Sequence, residues 1–168
     1  MVTKQEFHKQ STLPNLTAGQ GALLGEMPKK IGPYKIETQL SKGGMSFLYL
    51  GLHPQTHTPV AIKVLSPRYM THPEMVSQFL KEAEIIALTD HPNIIKLYGQ
   101  GEWENGLYIA MEFIQGISLK QFIMQQNLSI RSSLEIILQV SYALLHLHTH
   151  GVIHRDLKPE NILITEQG

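Results

Sequence analysis

The fold of this chain is decided by one stretch, His154-Arg155-Asp156-Leu157-Lys158-Pro159-Glu160-Asn161. It lies between a helical pattern that ends near Gly151 and a short apolar run over residues 162–164. Within it, a lysine follows the aspartate by two residues and an asparagine follows it by five. A carboxylate, an ammonium and an amide at this spacing can hold a hydroxyl, a phosphate and a metal ion within a few ångströms of one another. We therefore expect the chemistry of the chain to centre on Asp156, Lys158 and Asn161.

The composition limits the classes of protein that the chain can belong to. Its 168 residues fit one domain, or one domain and a tail, and 42% hydrophobic residues are enough for a core. Fourteen basic and fourteen acidic residues give a formal net charge of zero, so we expect no nucleic-acid partner. The absence of cysteine excludes disulfides and thiolate chemistry. No apolar run approaches the roughly 20 residues that cross a bilayer, and the polar start is unlike a signal peptide. We expect a cytoplasmic chain without a membrane segment.

Periodicity divides the chain into a tail and a folded part. Residues 1–33 are rich in Gln, Thr, Gly and Pro, which predicts a flexible N-terminal tail. From Tyr34 onward, alternating and helical patterns follow one another. They predict strands over 34–40, 47–52, 60–65, 94–98 and 108–113, a helix over about 74–88, a helix capped by Ser118 that runs to about 126, and a longer helix over about 132–148. The order is therefore an antiparallel meander with one inserted helix, followed by helices.

The stretch 154–161 resembles the catalytic loop of protein kinases, whose pattern H-R-D-x-x-x-x-N it matches at every fixed position. Val60-Ala61-Ile62-Lys63 likewise resembles the family's third-strand motif. The resemblance covers 34–168 and implies an α+β fold in two parts. Residues 34–114 would form a kinase-like small lobe, a five-stranded antiparallel sheet with one helix, and the hinge. Residues 115–168 would begin the large lobe and carry the catalytic loop, so that the domain is truncated. Leu157-Lys158-Pro159-Glu160 resembles serine/threonine kinases, here of the eukaryote-like (Hanks-type) bacterial group.

This resemblance implies an ATP-dependent transfer of the γ-phosphate to Ser/Thr hydroxyls of protein substrates, with Mg²⁺, or Mn²⁺ in its place. Asp156 would take the proton of the substrate hydroxyl, Lys158 would balance charge on the transferred group, and Asn161 would bind a metal ion. Lys63 would pair with the nucleotide phosphates. Its expected partner is Glu82, 19 residues on in the inserted helix, because its competitor Glu84 would point to another side of that helix.

The resemblance also implies a nucleotide site. The family's glycine pattern falls on Ser41, Gly43, Ser46 and Leu48, so that serine replaces two of the glycines, while Gly44 adds one. Glycine matters in such a turn because bare backbone can approach phosphate oxygens closely. Further nucleotide contacts would come from an apolar sandwich around the base, from a gatekeeper side chain and from the hinge backbone: Leu40, Leu48, Ala61 and Leu163, then Met111, then Glu112 and Ile114.

Two features limit the expected activity. The family's Asp-Phe-Gly metal site falls about a dozen residues beyond the loop asparagine, whereas only seven residues follow Asn161, and the only aspartates are Asp90 and Asp156. We therefore expect an incomplete chain that is inactive alone. The alternatives are a pseudokinase or nucleotide-binding scaffold, or a decayed or split gene product. His146, His148 and His150 are read as an ordinary helix end, since no acidic or thiol partner completes a metal site.

Overall fold

A computed structural model describes residues 27–104 and 106–165 of the chain. These residues form two compact units. The sheet unit comprises 27–88 and 95–113, and the helical unit comprises 89–94 and 114–165, among the described residues. Residues 1–26, the greater part of the predicted tail, lie outside the described residues.

The sheet unit is built on an antiparallel sheet with the strand order β1-β2-β3-β4-β6-β5. The strands are β1 (Lys30–Ile31), β2 (Tyr34–Lys42), β3 (Ser46–Leu52), β4 (Pro59–Leu65), β5 (Leu97–Trp103) and β6 (Gly106–Glu112). Five strands were predicted, and β1 is the sixth. It comes from the stretch that was assigned to the tail, yet Ile31 is completely buried. The glycine that follows, Gly32, has a φ of 53° and lies against the Tyr108 ring, which leaves no room for a side chain.

Strand β4 is buried on both faces because it is apolar at nearly every position. Its even-numbered residues contribute to the tyrosine cluster, which comprises Ile31, Tyr34, Ile36, Tyr49, Val60, Ile62, Val64, Tyr108 and Ala110. Its odd-numbered residues contribute to the helix cluster, which comprises Ala61, Leu65, Phe79, Ala83, Leu107, Ile109 and Met111. Because side chains alternate along a strand, Lys63 projects on the helix-cluster face.

Helix α1 (Pro73–Ala87) covers that face of the sheet. A short 3-10 turn, Pro67–Tyr69, connects β4 to it. Pro73 is at the first helical position, where its missing N–H costs nothing. The residues that α1 buries, Phe79, Ala83 and Ile86, recur at helical spacing, as the sequence predicted. The helix that carries Glu82 is therefore packed directly behind the strand that carries Lys63.

The fourth predicted strand lies elsewhere in the structure. It was expected over 94–98, whereas β5 runs over Leu97–Trp103 and includes two glycines. A side chain at Gly99 would meet the Tyr34 hydroxyl at 2.8 Å, and one at Gly101 would lie 3.2 Å from the Tyr108 ring. The glycines make room for tyrosine side chains of β2 and β6, a requirement that local strand propensity does not reveal.

The helical unit contains α2 (Leu119–Gln125) and α3 (Ile130–Thr149), and strands β7 (Gly116–Ser118) and β8 (Leu163–Thr165) pair antiparallel in it. The predicted cap is confirmed: the Ser118 hydroxyl oxygen accepts from the Gln121 backbone amide, and the Gln121 side-chain oxygen accepts from the Ser118 backbone amide. Helix α3 begins two residues before the predicted start, because Ser129 caps it.

Most apolar side chains of α3 are exposed. Leu147 is the buried residue of this helix, whereas Leu134, Ile137, Leu138, Tyr142 and Leu145 are all more than half exposed. None of the helices in the described part of the chain is both long and apolar enough to cross a membrane.

Candidate active site

Lys63 and Glu82 form an ion pair within the sheet unit. The lysine Nζ lies 2.5 Å from Oε2 of Glu82, the glutamate predicted from the sequence, rather than from Glu84. Nζ is also 6.0 Å from the centroid of the Phe79 ring. The two side chains are 28% and 41% exposed, so the ammonium is held at the edge of the helix cluster and remains accessible to a ligand.

Several of the residues predicted to contact the base share the sheet face that carries Lys63. Leu48 is opposite Lys63 in the pairing of β3 with β4, and it packs against the helix cluster. Ala61 is opposite Met111 in the pairing of β4 with β6, and both are buried in that cluster. Leu40 is half-buried and lies at an irregularity between β2 and β3. This arrangement provides an apolar surface beside a lysine.

The glycine turn, residues 43–45, is shorter than the sequence indicated. Ser41 ends up in β2 and Ser46 begins β3, so that the strands reach further toward the turn. The Gly43 amide donates to the Ser46 carbonyl over 2.8 Å. A Cβ on Gly43 would lie 3.2 Å from that oxygen, whereas one on Gly44 would meet no atom within 4 Å. Neither glycine has a left-handed φ, and one side of Gly44 is open to a ligand.

The predicted hinge residues do not all lie in one unit. Glu112 ends β6, and its amide donates to the Lys96 carbonyl over 2.8 Å, so this amide already has a partner within the sheet unit. Its carboxylate accepts from the Lys96 amide over 3.2 Å. Ile114 belongs to the helical unit, as does Leu163, which is 46% exposed in β8. The structure therefore brings Leu48, Ala61 and Met111 together with Lys63 within the sheet unit, whereas Ile114 and Leu163 belong to the helical unit.

In the helical unit, Asp156, Lys158 and Asn161 form a connected polar network. Lys158 Nζ donates to both carboxylate oxygens of Asp156, at 2.9 and 2.8 Å. The Asn161 side-chain amide donates to the Asp156 carbonyl at 2.8 Å and to its carboxylate at 3.0 Å. The 3-10 turn Pro159–Asn161 brings the asparagine back, and the Asn161 backbone amide closes it on the Lys158 carbonyl. The side chains of Lys158 and Asn161 therefore converge on the Asp156 carboxylate.

These contacts shift the pKa values of the network. Hydrogen bonds from Lys158, and then from Asn161, hold the pKa of Asp156 below its ordinary value. The Asp156 carboxylate in turn raises the pKa of Lys158. The Asp156 side chain is consequently ionised at neutral pH. A carboxylate has about four lone-pair sites, so it can still accept from a further hydroxyl.

Asn161 suits a hard metal ion through its side-chain oxygen. Its amide nitrogen is used in the bonds to Asp156, which orients the oxygen away from them. Amide and carboxylate oxygens are the donors that Mg²⁺ prefers. Within residues 27–104 and 106–165, no group of three or more His, Cys, Asp or Glu side chains could hold a metal ion, and this includes the histidines at the end of α3.

Two contacts beside the predicted site were not anticipated from the sequence. Lys120 at the start of α2 pairs with Glu160, in the loop at 154–161, at 2.9 Å and lowers the pKa of that carboxyl. Arg68 in the 3-10 turn before α1 donates to the Gly44 carbonyl at 2.5 Å. The partners are 40 and 24 residues apart, and no periodicity or motif links either pair.

Comparisons with known proteins agree with this geometry. A family model described as the protein kinase domain matches residues 34–168. The chain is 37% identical over 138 residues to the serine/threonine-protein kinase PrkC of Bacillus subtilis, covering 82% of this chain and 21% of that one. It is 39% identical over 137 residues to a probable serine/threonine-protein kinase, PknB, of Lactococcus lactis, covering 80% of this chain and 22% of that one.

Among solved structures, the kinase domain of PknI from Mycobacterium tuberculosis is similar, with a TM-score of 0.73 and 32% identity. That likeness covers 87% of this chain and 59% of the other. The chain spans about a fifth of the length of PrkC and PknB, the two curated relatives above. Since the family model matches most of the chain, and the fold and the loop at 154–161 agree with it, the chain belongs to the protein kinase domain family.

Proposed function

We propose that this chain supplies the nucleotide-binding part and the catalytic loop of an ATP-dependent protein kinase that phosphorylates Ser/Thr residues of proteins. The ion pair between Lys63 and Glu82 is the observation that carries the proposal. A lysine inside an apolar strand has an unfavourable desolvation free energy unless its charge is paired. The curated relatives reported above, which are serine/threonine kinases by name, support the reaction class.

In the sheet unit, the proposed task is to hold ATP. Lys63 would bind the nucleotide phosphates, and Glu82 would keep its ammonium in place. Leu48 and Ala61 would contact the base, with Met111 behind it. The backbone of the glycine turn, with Ser41 and Ser46 in the strands on either side, would lie along the phosphates. The zero formal charge of the chain is the reason that we propose no nucleic-acid partner.

In the helical unit, the proposed task is phosphoryl transfer. The substrate hydroxyl oxygen would attack the γ-phosphorus, the bond from that phosphorus to the β,γ-bridging oxygen would break, and ADP would leave with its electron pair. The hydroxyl proton would go to the Asp156 carboxylate, which hydrogen bonds keep ionised. Lys158 would balance the charge of the transferred group, and Asn161 would offer one oxygen to Mg²⁺ or Mn²⁺, which neutralises phosphate charge when bound.

The activity of the whole protein remains part of the proposal, because the chain spans only a fraction of its relatives. Its two aspartates are Asp90 and Asp156, so the 168 residues hold no further aspartate for the primary metal ion. We therefore expect the purified chain to bind nucleotide without transferring phosphate. Since ATP is the proposed substrate, the cytoplasm is the expected location.

Isothermal titration of the purified chain with ATP tests the nucleotide site. We expect Lys63→Met to weaken ATP binding at least about tenfold, since a charge-assisted contact to phosphate is lost. Lys35→Met is the matched control. Lys35 also pairs with a glutamate, Glu37, at 2.8 Å, but it lies on the surface of β2 and is 71% exposed.

The outcomes separate the alternatives. Equal ATP affinity for Lys63→Met, Lys35→Met and the unsubstituted chain would contradict the proposed site. Binding without transfer, measured with γ-labelled ATP and a library of Ser/Thr peptides, is the expected result for this chain. Transfer by the chain itself, lost in Asp156→Asn, would refute the expected inactivity and support the reaction.

A further inference from the structure

The glycine turn is tied to the segment that follows β4. The Gly44 carbonyl accepts a hydrogen bond from the Arg68 guanidinium at 2.5 Å, and the next carbonyl, that of Met45, accepts from the Ser66 amide at 2.9 Å. Ser66 is buried, at 8% exposure. Two successive carbonyl groups of the turn are therefore held by donors from one segment, residues 66–68.

That segment is itself firmly placed. Arg68 lies in the 3-10 turn, whose Tyr69 amide donates to the Ser66 carbonyl at 2.9 Å. The guanidinium carbon is 4.8 Å from the centroid of the Tyr69 ring, and this ring packs against the helix cluster. The segment then leads into α1, which carries Glu82. Arg68 thus connects the glycine turn to the element that positions Lys63.

The direction of the Gly44 carbonyl determines where the next amide points. A trans peptide unit is planar, and its C=O and N–H groups point in opposite directions. With the Gly44 carbonyl turned toward Arg68, the Met45 amide must point to the other side of the turn. A phosphate oxygen needs amide donors and is repelled by carbonyl oxygens. A turn free to flip this peptide would alternate between an amide and a carbonyl on the side that faces a phosphate, whereas a fixed peptide presents one group only.

We propose that Arg68 is a positioning residue for the nucleotide phosphates: by holding the Gly44 carbonyl, it fixes the orientation of the Gly44–Met45 peptide in the turn that would lie along them. The inference rests on the proposed nucleotide site. It also gives a reason why a turn in which serine replaces two of the family's three glycines still keeps a defined shape. Arg68 does not touch the nucleotide in this proposal and acts through the backbone.

The test compares ATP with adenosine, which has the base and ribose but no phosphate. For Arg68→Met, we expect ATP binding to weaken about three- to tenfold, the equivalent of one hydrogen bond, while adenosine binding stays within twofold. Arg68→Lys keeps a cationic donor and should give an intermediate ATP affinity. Arg131→Met removes an 89% exposed arginine that pairs with Glu135, and it should leave both affinities unchanged.

Amide hydrogen exchange gives a readout without any ligand. The Ser66 amide is bonded to the Met45 carbonyl, so a loosened turn in Arg68→Met should speed its exchange, while the amides of β4 keep their rates. Unchanged ATP affinity in Arg68→Met would overturn the inference, whether or not the exchange rate of the Ser66 amide changes. Equal weakening of ATP and adenosine would also overturn it, because that result indicates general loosening. Failure of the unsubstituted chain to bind ATP would instead refute the proposed function, and is recognised because it needs no substitution.

Discussion

The two units of the chain bury their apolar side chains to very different degrees. The sheet unit has two clusters, one on each face of its sheet, and Ile62, Ile109 and Val60 are completely buried in them. In the helical unit, α3 is longer than any strand, yet it buries one residue, Leu147. Apolar burial is the main favourable term in folding. The sheet unit therefore has its own core, whereas α3 presents an apolar face that is not covered in this structure.

Polar contacts define the local conformation of the helical unit instead. Serine caps begin both α2 and α3, and hydrogen bonds from Lys158 and Asn161 hold the loop at 154–161. Exposed polar contacts of this kind contribute less to stability than the burial of a large apolar side chain. The sheet unit therefore depends mainly on apolar burial, whereas the local conformation of the helical unit depends on hydrogen bonds. Substitutions should distinguish them.

The largest expected effect is in the core of the sheet unit. Ile62→Ala removes a completely buried side chain from the tyrosine cluster and should lower the free energy of unfolding by about 2–5 kcal/mol. Urea titration followed by the fluorescence of Trp103, which packs against that cluster and is the single tryptophan, measures it. Leu138→Ala on the exposed face of α3 should change stability by less than about 0.5 kcal/mol. Similar losses for the two variants would contradict the comparison.

A second prediction compares Gly51, near the end of β3, with Gly44, in the turn that precedes β3. A side chain at Gly51 would lie 2.6 Å from Ile62 Cδ1 and 2.8 Å from the Lys35 carbonyl, which is backbone and cannot move aside cheaply. Gly51→Ala should cost about 1–3 kcal/mol. Gly44→Ala meets no atom within 4 Å and should leave thermal stability unchanged, but weaken ATP binding by crowding the phosphates. Thermal unfolding and ATP titration of both variants check the pair.

A third, smaller effect is expected at the cap of α2. Ser118→Ala removes the acceptor of the Gln121 amide and should destabilise this helix by about 0.5–2 kcal/mol. Hydrogen exchange at Gln121 measures the loss. The control is Ser77→Ala at an exposed position inside α1, where alanine is the better helix former and no loss is expected. Slower or equal exchange at Gln121 in Ser118→Ala would be inconsistent with the capping role.

The smallest effect on stability is expected in the loop at 154–161, where substitutions should instead change pKa values. Lys158→Met should raise the pKa of Asp156 toward its ordinary 3.8, because the lysine is the main cause of the lowering, and Asn161→Ala should raise it less. Carbon-13 NMR titration of the carboxyl groups measures both. Lys120→Met should leave the Asp156 pKa in place and raise that of Glu160.

The sign of the pH dependence follows from the same shift. A carboxyl whose pKa is lowered by folding contributes stability above its unfolded value of 3.8, and this contribution disappears as the pH falls through the lower folded value. Because the unfolded value is 3.8 and the folded value is lower still, the carboxyl is ionised in both states above about pH 5, and we expect no change in unfolding free energy from it between pH 5 and 8. A pKa of Asp156 that is unaffected by Lys158→Met would contradict the network.

Sequence reasoning predicted those parts of the site that depend on local spacing. The pairing of Lys63 with Glu82 follows from a strand motif and a helix position, and Ser118 from the chemistry of helix caps. It missed β1, because two residues before Gly32 and Pro33 carry no periodicity. It misplaced β5, because Gly99 and Gly101 are explained by tyrosine rings on other strands. Arg68 and Lys120 were invisible because their partners are brought near only by the complete fold.

The small strand β1 has a practical consequence for where the domain should be cut. Similarity to the family starts at residue 34, but the Lys29 carbonyl accepts from the Ile36 amide at 3.0 Å, and Ile31 fills a place among the tyrosines. A shortened protein that starts at Tyr34 would leave an unpaired strand edge and a gap beside the Tyr108 ring. Expression boundaries are therefore best placed at or before Pro28, because a limit drawn from homology alone would remove part of the folded sheet.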